Sequence, residues 1–546
     1  MKVAAAVSPE KLRGGFYTPD ALVERCLDRI EELTNGRDRL RVLEPSIGDG
    51  AFLRGLSELR WEGRVESLLG LELIEGEAEQ ARAELARSGI GGEVLTRSTL
   101  DWSASATDEF DVAIGNPPFV RFQFVSPADR RSTELLSERL GYEFGGVSNL
   151  WIPVLLGSLS RLAHGGVFSF VIPTECFTGM AASVVREWFV GETADLRFDL
   201  FQPGSFPGVL QEVTVVSGRR VPSREKRGVP VAFVEHDGVG ATVEWSHQVD
   251  GSGSWTRYLL GPAALDAMHA AEKLAHVRPL REIANFDVSL VTGANDFFSA
   301  TTETVDRFEL DEWAKPLLPR SRFAEGLEFT LEDHAAMEMV GARRWILDFG
   351  SERPEPSEYP RPLEYIEQGE ALELHERYKC RIREPWYRVP NFRRGDLLLS
   401  KRSHHFPRVI LNSAEAFTTD TIYCGWIVDP EYSATAFTAG FHNSLTLLSA
   451  ELFGRSFGGG VLELVPSEVA ELRIPKALTF GAHLRGLDAL SRSGDSDSLI
   501  EETDRLMVEE GILPPDLCLA LSEAREALAL RRTDRGKSSS RELVPA

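Results

Sequence analysis

LRVLEPSIGDGAFL, residues 40–53, takes a short apolar run ending in Glu44 through a turn carrying Gly48 and Gly50 and into an amphipathic segment. A strand that passes through a glycine-rich turn into a helix opens a βαβ unit, and the small residues let backbone approach a nucleotide-like ligand. Six more β-like runs follow: SLLGLEL (67–73), GEVLT (92–96), FDVAIG (110–115), GVFSFVIP (166–173), ADLRFDLF (194–201) and VTVVSGR (213–219). Helical spacing of apolar residues lies between them at 20–33, 51–59, 75–88 and 150–162. This alternation predicts an α/β fold with a doubly wound, mostly parallel seven-stranded sheet.

The chain has 546 residues, too many for one ordinary core. The polar stretch PSREKRGVP (222–230) reads as a linker, and after it the strand–helix alternation is lost. We therefore expect a first domain over 1–225, a mixed α+β domain over 226–483 and a helical segment over 484–546, whose last stretch, 531–546, reads as a disordered tail.

Composition excludes several classes. Hydrophobic residues at 42% and charged residues at 26% are ordinary for a globular protein. No apolar run reaches membrane-spanning length and the start carries no proper signal sequence, so the reading is cytoplasmic, with no membrane partner. The five cysteines (Cys26, Cys176, Cys380, Cys424, Cys518) are scattered, which suggests neither a disulfide framework nor a zinc site. A net charge of −24 argues against non-specific coating of nucleic acid. From Arg377 to Arg408, however, ten basic residues face two acidic ones.

The strongest chemical signal is Asn116-Pro117-Pro118-Phe119, directly after FDVAIG, at the carboxyl edge where open α/β sheets build their sites. An exocyclic amine conjugated with a base ring is a poor nucleophile. The Asn116 side-chain oxygen and the Pro117 carbonyl could accept both amino hydrogens and draw the nitrogen toward a methyl-accepting geometry, with Pro117 and Pro118 stiffening the backbone. Phe119 would stack on a base swung out of the duplex. The bland alternative is a Pro-rich turn closing a strand, with Phe119 in the core. Glu72, 28 positions after Glu44, ends the second strand where a carboxylate could accept ribose hydroxyls.

In order, GGFYTP, LEPSIGDGAFL, GLEL and NPPF resemble the gamma-class, TaqI-like N6-adenine DNA methyltransferases of restriction–modification systems. The resemblance implies a Rossmann-like methyltransferase domain followed by a mixed α+β target-recognition domain, with S-adenosyl-L-methionine as cofactor and double-stranded DNA as partner. It implies cofactor contacts at Tyr17, Thr18 and Pro19, at Glu44, Ser46, Gly48 and Gly50, and at Glu72. The family's acid for the cofactor adenine, four residues before a Trp, falls on Ser98, counting back from Trp102; Asp101 is the nearby substitute. A second aromatic at the target base maps to Phe206.

The later half resembles the family's target-recognition region in VTGANDFF (291–298), CRIREPWYRVP (380–390), LLLSKRSHHFPRVILN (397–412), FTTDTIYCGWI (417–427) and FGGGVLELVPS (457–467). Arg381, Arg383, Trp386, Tyr387, Arg393, Arg394, Lys401, Arg402 and His404 are the DNA-contact candidates, cations for phosphates and aromatics for stacking. The alternative is an Arg-rich solvated face. His404-His405 lacks further ligands at metal spacing, and the chemistry needs no metal.

Adenine-N6 transfer in duplex DNA, by base flipping and direct transfer, is the function read from these features. The alternatives are a cytosine-N4 enzyme, an RNA or protein methyltransferase with the same turn, and a catalytically idle DNA-binding subunit. No nuclease cluster is evident, so cleavage would need a separate restriction endonuclease.

Overall fold

The computed structural model describes residues 18–144, 149–201, 213–223, 228–236, 242–251, 253–390, 392–457 and 460–540. The chain divides into two compact units, Met1–Pro262 with Lys537–Ala546, and Ala263–Gly536.

The first unit is built on a sheet of nine strands among the described residues: β1 Leu40–Glu44, β2 Val65–Glu72, β3 Gly91–Thr96, β4 Phe110–Gly115, β5 Leu162–Pro173, β6 Thr193–Phe201, β7 Val213–Arg220, β8 Val229–His236 and β9 Thr242–Val249. Their spatial order is β3-β2-β1-β4-β5-β7-β6-β8-β9. The run from β3 to β5 is wholly parallel, while β7 lies antiparallel to both β5 and β6. Buried parallel strands carry near-continuous apolar runs. In β5 every residue from Val167 to Pro173 except Ser169 is apolar, and all seven are buried.

The helices named here are α1 Asp20–Thr34, α2 Ala51–Leu56, α3 Glu75–Ser88, α4 Thr99–Ser105, α5 Pro127–Leu140 and α6 Trp151–Leu159. In α1, Leu22, Val23, Cys26, Leu27 and Ile30 repeat at helical spacing and join Val42, Ile114, Val167 and Val171 in one core. The helix stops at Asn35, whose left-handed conformation (φ 47°) lets its N–H close back on Glu31.

All seven strands read from the sequence are present, but the sheet has nine. The segment 222–230 is not an interdomain linker: β8 begins within it and pairs in parallel with β6, and β9 pairs antiparallel with β8. The sheet thus continues past residue 225, and the compact unit closes at Pro262. The local sequence around 222–230 has the polarity of a linker, while its pairing partner lies some thirty residues upstream.

The second unit holds two four-stranded sheets. One orders Ala284–Val288, Ile422–Ile427, Leu397–Ser400 and Val409–Leu411; the other orders Ser299–Ala300, Trp345–Leu347, Ala314–Leu318 and Phe417–Thr418. Helices Leu484–Arg492, Ser496–Glu509 and Pro515–Ser540 follow. They do not form a segment of their own: Arg492 bonds Asp333 and the Glu328 carbonyl, and Ile500 enters the core around Leu397 and Tyr423. The stretch 531–546, read as a disordered tail, is helical as far as Ser540, and Arg532 is buried. Its polar composition hides one residue that the interior needs.

Ile114, on β4, is fully buried and stands two positions before Asn116. Ile114→Ala should lower the stability of the first unit by about 2–5 kcal/mol through lost burial and the remaining cavity, read as a shift in the denaturant midpoint of that unit's transition.

Candidate active site and nucleic-acid interface

Parallel register decides which side chains share the carboxyl edge of the sheet. Glu44 pairs with Gly70 and Gly70 with Val94; Glu72 pairs with Thr96; Val42 pairs with Val112. Glu44 and Glu72 therefore close β1 and β2, and Ser98 and Asn116 follow β3 and β4, at one edge of four adjacent strands, the usual place for a site in an open α/β sheet.

After β1 the chain turns at Gly48 (φ 52°) and Gly50 (φ 84°), the second capping α2. A Cβ at Gly48 would meet nothing within 4 Å, so glycine is needed there for its backbone conformation, and the space above it is open. The Gly48 amide donates to Glu72 Oε2 at 3.1 Å, and the amides of Leu73 and Ile74 donate to Glu72 Oε1 at 2.8 and 2.9 Å. The half-buried carboxylate is thereby fixed in orientation. Of its roughly four lone-pair directions three are taken, which leaves one for an incoming hydroxyl.

Glu44 is buried (1% exposed), and its Oε2 has no hydrogen-bond partner. Burial pushes its carboxyl well above the ordinary carboxylate range; Asp49 adds to this, Arg54 opposes it, and Glu72 adds a little more. Burial thus favours the protonated form of this carboxyl, which can donate as well as accept. Ser46 is half-buried beside it.

Asn116 follows β4. Its Nδ2 donates to Thr18 Oγ1 at 3.2 Å, and its Oδ1 is buried with no partner. Thr18 and Pro19 precede α1, so the segment read as a cofactor contact also orients Asn116. Pro117 is buried, Pro118 half-buried. Phe119 is half-buried and packs against the core of the unit, so the core reading of this ring holds in part. Tyr17 and Phe206 lie outside the described residues.

Asp101, the substitute for the missing acid, is exposed on α4 and accepts from Arg97 Nε at 2.6 Å. Ser98 instead donates to Asp129 on α5, and Thr99 donates to the Pro45 carbonyl. Asp129 and Thr99 were not among the residues found by sequence reasoning. The S-P-A-D run 126–129 was legible as a helix start, and the Asp129 amide does bond Ser126 Oγ at 3.1 Å, but its contact with Ser98 is tertiary.

In the second unit the DNA-contact candidates separate. Trp386 and Tyr387 are buried in an aromatic cluster with Phe297, Phe298 and Phe349, and their polar atoms bond Glu370 and Glu355. They are core residues, not stacking platforms: the aromatic–basic pattern in the sequence does not say which faces point inward. Arg383 donates to the carbonyls of Val291 and Thr292 at 2.6 and 2.8 Å, joining the 291–298 and 380–390 motifs.

Arg394 pairs with Glu415, Lys401 and Arg402 with Glu463, and Arg393 lies 3.9 Å from Asp287. Arg381 is exposed and, like its exposed neighbours Arg377 and Lys379, has no ion pair among the described residues. His404 is exposed. Its carbonyl, with those of His405 and Gly460, accepts from Arg532, which also grips Glu451. Sequence reasoning missed Arg532.

Among the described residues no group of three or more His, Cys, Asp or Glu side chains is placed to hold a metal, and no helix is long and apolar enough to cross a membrane. All five cysteines are buried.

The fold and its carboxyl-edge site define a methyltransferase-like α/β protein. Residues 74–199 match the Eco57I restriction-modification methylase family, and residues 252–508 match the type II methyltransferase M.Eco57I C-terminal domain. The chain is 20% identical to type II methyltransferase M.AccI of Acinetobacter calcoaceticus, over 78% of this chain and 79% of that one. It is also 20% identical to M.XhoI of Xanthomonas vasicola, over 85% and 91%. The solved type IIL restriction-modification enzyme MmeI, in complex with DNA, shares the fold over 98% of this chain and 81% of its own, at 13% identity and a TM-score of 0.54. The chain is thus similar, in both of its parts, to type II restriction–modification methyltransferases.

Two outcomes test these assignments. Glu44→Gln should stabilise the first unit, increasingly as pH rises above the ordinary carboxylate range: there the unfolded wild-type chain has lost the proton that the folded chain still holds, so wild-type stability falls with pH. Parallel denaturant titrations from pH 4 to 7, flat in their difference, would refute the assignment. Arg532 and Glu451 have side chains only 3% and 7% exposed. Arg532→Ala should cost about 3–5 kcal/mol in the second unit by leaving Glu451 buried and unpaired, and replacing both by apolar residues should recover only part of it, because the carbonyls of His404, His405 and Gly460 still lose their donor.

Proposed function

We propose that this chain is a site-specific DNA methyltransferase that transfers a methyl group from S-adenosyl-L-methionine to N6 of adenine, acting on a base flipped out of duplex DNA. The observation that carries the reading is the buried, unpartnered Oδ1 of Asn116, held from the other side by Thr18 at the carboxyl end of β4. A buried acceptor without a partner carries a desolvation cost of about 1–3 kcal/mol, which a ligand amine would remove.

The residues fit the cofactor. Gly48 and Gly50 hold the turn, with open space at Gly48, Glu72 is oriented with one free lone-pair direction, Glu44 presents a polar atom without a partner, and Thr18, Pro19 and Ser46 border the same edge. The sulfonium supplies an activated methyl group, so the chain needs no covalent nucleophile, and its buried cysteines are consistent with that. Asn116 Oδ1 and the Pro117 carbonyl accept the two amino hydrogens, which frees the nitrogen lone pair from the ring. Rigid prolines keep these acceptors in place without reorganisation. Phe119 stacks on the flipped base. The proton left on the methylated nitrogen passes to solvent.

For the DNA contacts, Arg377, Lys379 and Arg381 are exposed cations with no ion pair among the described residues, and Arg393, Arg394, Lys401, Arg402 and His404 line a second stretch in which all but His404 have acidic neighbours. A separate restriction endonuclease would complete such a system.

Labelled methyl transfer to unmethylated genomic DNA, followed by digestion to nucleosides, should place the label in N6-methyladenine. Asn116→Ala should reduce it at least about a hundredfold with cofactor affinity unchanged. Label in N4-methylcytosine would move the assignment to the other base, and no label with cofactor bound would reject a DNA substrate for the chain alone. Reversing Arg377 and Arg381 to Glu should weaken DNA binding and reduce the slope of log K against log salt by about 0.9 for each phosphate no longer neutralised; an unchanged slope would remove them from the interface.

A further inference from the structure

Ser98 occupies the N-cap position of α4, where a serine hydroxyl ordinarily accepts a bond from the first turn of its own helix. Here it makes no such cap. The hydroxyl is turned to donate to Asp129 Oδ1, 31 residues further along the chain. Asp129 is at the start of α5, where its other oxygen accepts from Ser126 Oγ at 2.8 Å. One carboxylate is thus carried by one helix to the end of β3 and fixed there by a side chain from another.

That place borders the site. Ser98 lies two residues beyond Thr96, which pairs with Glu72. The next residue, Thr99, donates to the carbonyl of Pro45 in the glycine-rich turn. Ser98 and Asp129 are both half-buried, and two of the carboxylate's roughly four lone-pair directions remain open. Asp101, by contrast, is directed to Arg97 on an exposed face of α4.

We propose that Asp129 is the acceptor for the exocyclic amine of the cofactor's adenine, with Ser98 as the residue that positions it. The inference rests on the cofactor reading above. An adenine amine offers two N–H donors, and a carboxylate held by two hydroxyls is a charged acceptor that a 6-oxo base, lacking those donors, would meet unfavourably. Binding of the nucleoside end of the cofactor is therefore selective through a residue on α5 rather than on the strand-following turn.

Calorimetry on the full chain with S-adenosylhomocysteine and S-inosylhomocysteine tests this without turnover. The wild type should prefer the adenosyl ligand. Asp129→Ala should lose about tenfold or more of its affinity for that ligand while its affinity for the inosyl ligand holds or rises. Ser98→Asp combined with Asp129→Ser, which moves the carboxylate back to the turn, should restore the preference. Equal losses for both ligands in Asp129→Ala, with a lowered melting temperature, would reduce Asp129 to a helix cap and overturn the proposal. A wild type that binds S-adenosylhomocysteine with no preference would overturn it as well. A wild type that binds neither ligand would overturn the cofactor reading itself.

Discussion

Parallel pairing of β1 with β2 and β4, and of β2 with β3, is the constraint on which the site depends. A one-residue slip would send every side chain of a strand to the opposite face and would carry Glu44, Glu72 and Asn116 away from the edge positions they share. With the register fixed, the residues just past each strand emerge at one edge: the glycine turn after β1, Glu72 at the end of β2, Ser98 beyond β3 and Asn116 after β4. The chemistry is collected by the sheet rather than by sequence proximity.

Polar groups at that edge fall into two kinds. Glu72 is engaged by three backbone amides and Asp129 by two hydroxyls, so their orientation is set before any ligand arrives. Asn116 Oδ1 and Glu44 Oε2 are buried and unpartnered. Other buried polar atoms, such as Trp61 Nε1 and Trp151 Nε1, are also unpartnered. What sets these two apart is their place at the carboxyl edge of the sheet and the tie of Asn116 to Thr18.

The second unit follows another logic. Its basic strip looks uniform in sequence, but burial and ion pairing sort it. Arg383 and Arg408 bond backbone carbonyls, Arg388 pairs with Glu355, and Trp386 and Tyr387 fill the core, while Arg377, Lys379 and Arg381 stay exposed. Arg532, from the final helix, holds the backbone at His404 and His405 from beneath. The strip is thus sorted by partner and exposure: Arg383, Arg388 and Arg408 are half-buried and engaged, and among these arginines only Arg532, from outside the strip, is buried.

Local signals were enough to read the first seven strands, the turn at Gly48 and Gly50, and the placement of Asn116 at a strand end, because apolar periodicity, φ-permissive glycines and prolines act over a few residues. FDVAIG (110–115) and the helix 75–88 agree with the structure residue for residue. The pairing of β8 with β6, the burial of Trp386 and Tyr387, the Ser98–Asp129 contact and the grip of Arg532 on the His404 carbonyl depend on partners from 31 to 128 residues away or on which face of a segment turns inward. No composition or spacing encodes those partners, since each residue is locally compatible with a solvated surface. The sequence by itself determined which residue types stand at the ends of the strands; only the tertiary structure decided which of them face one another.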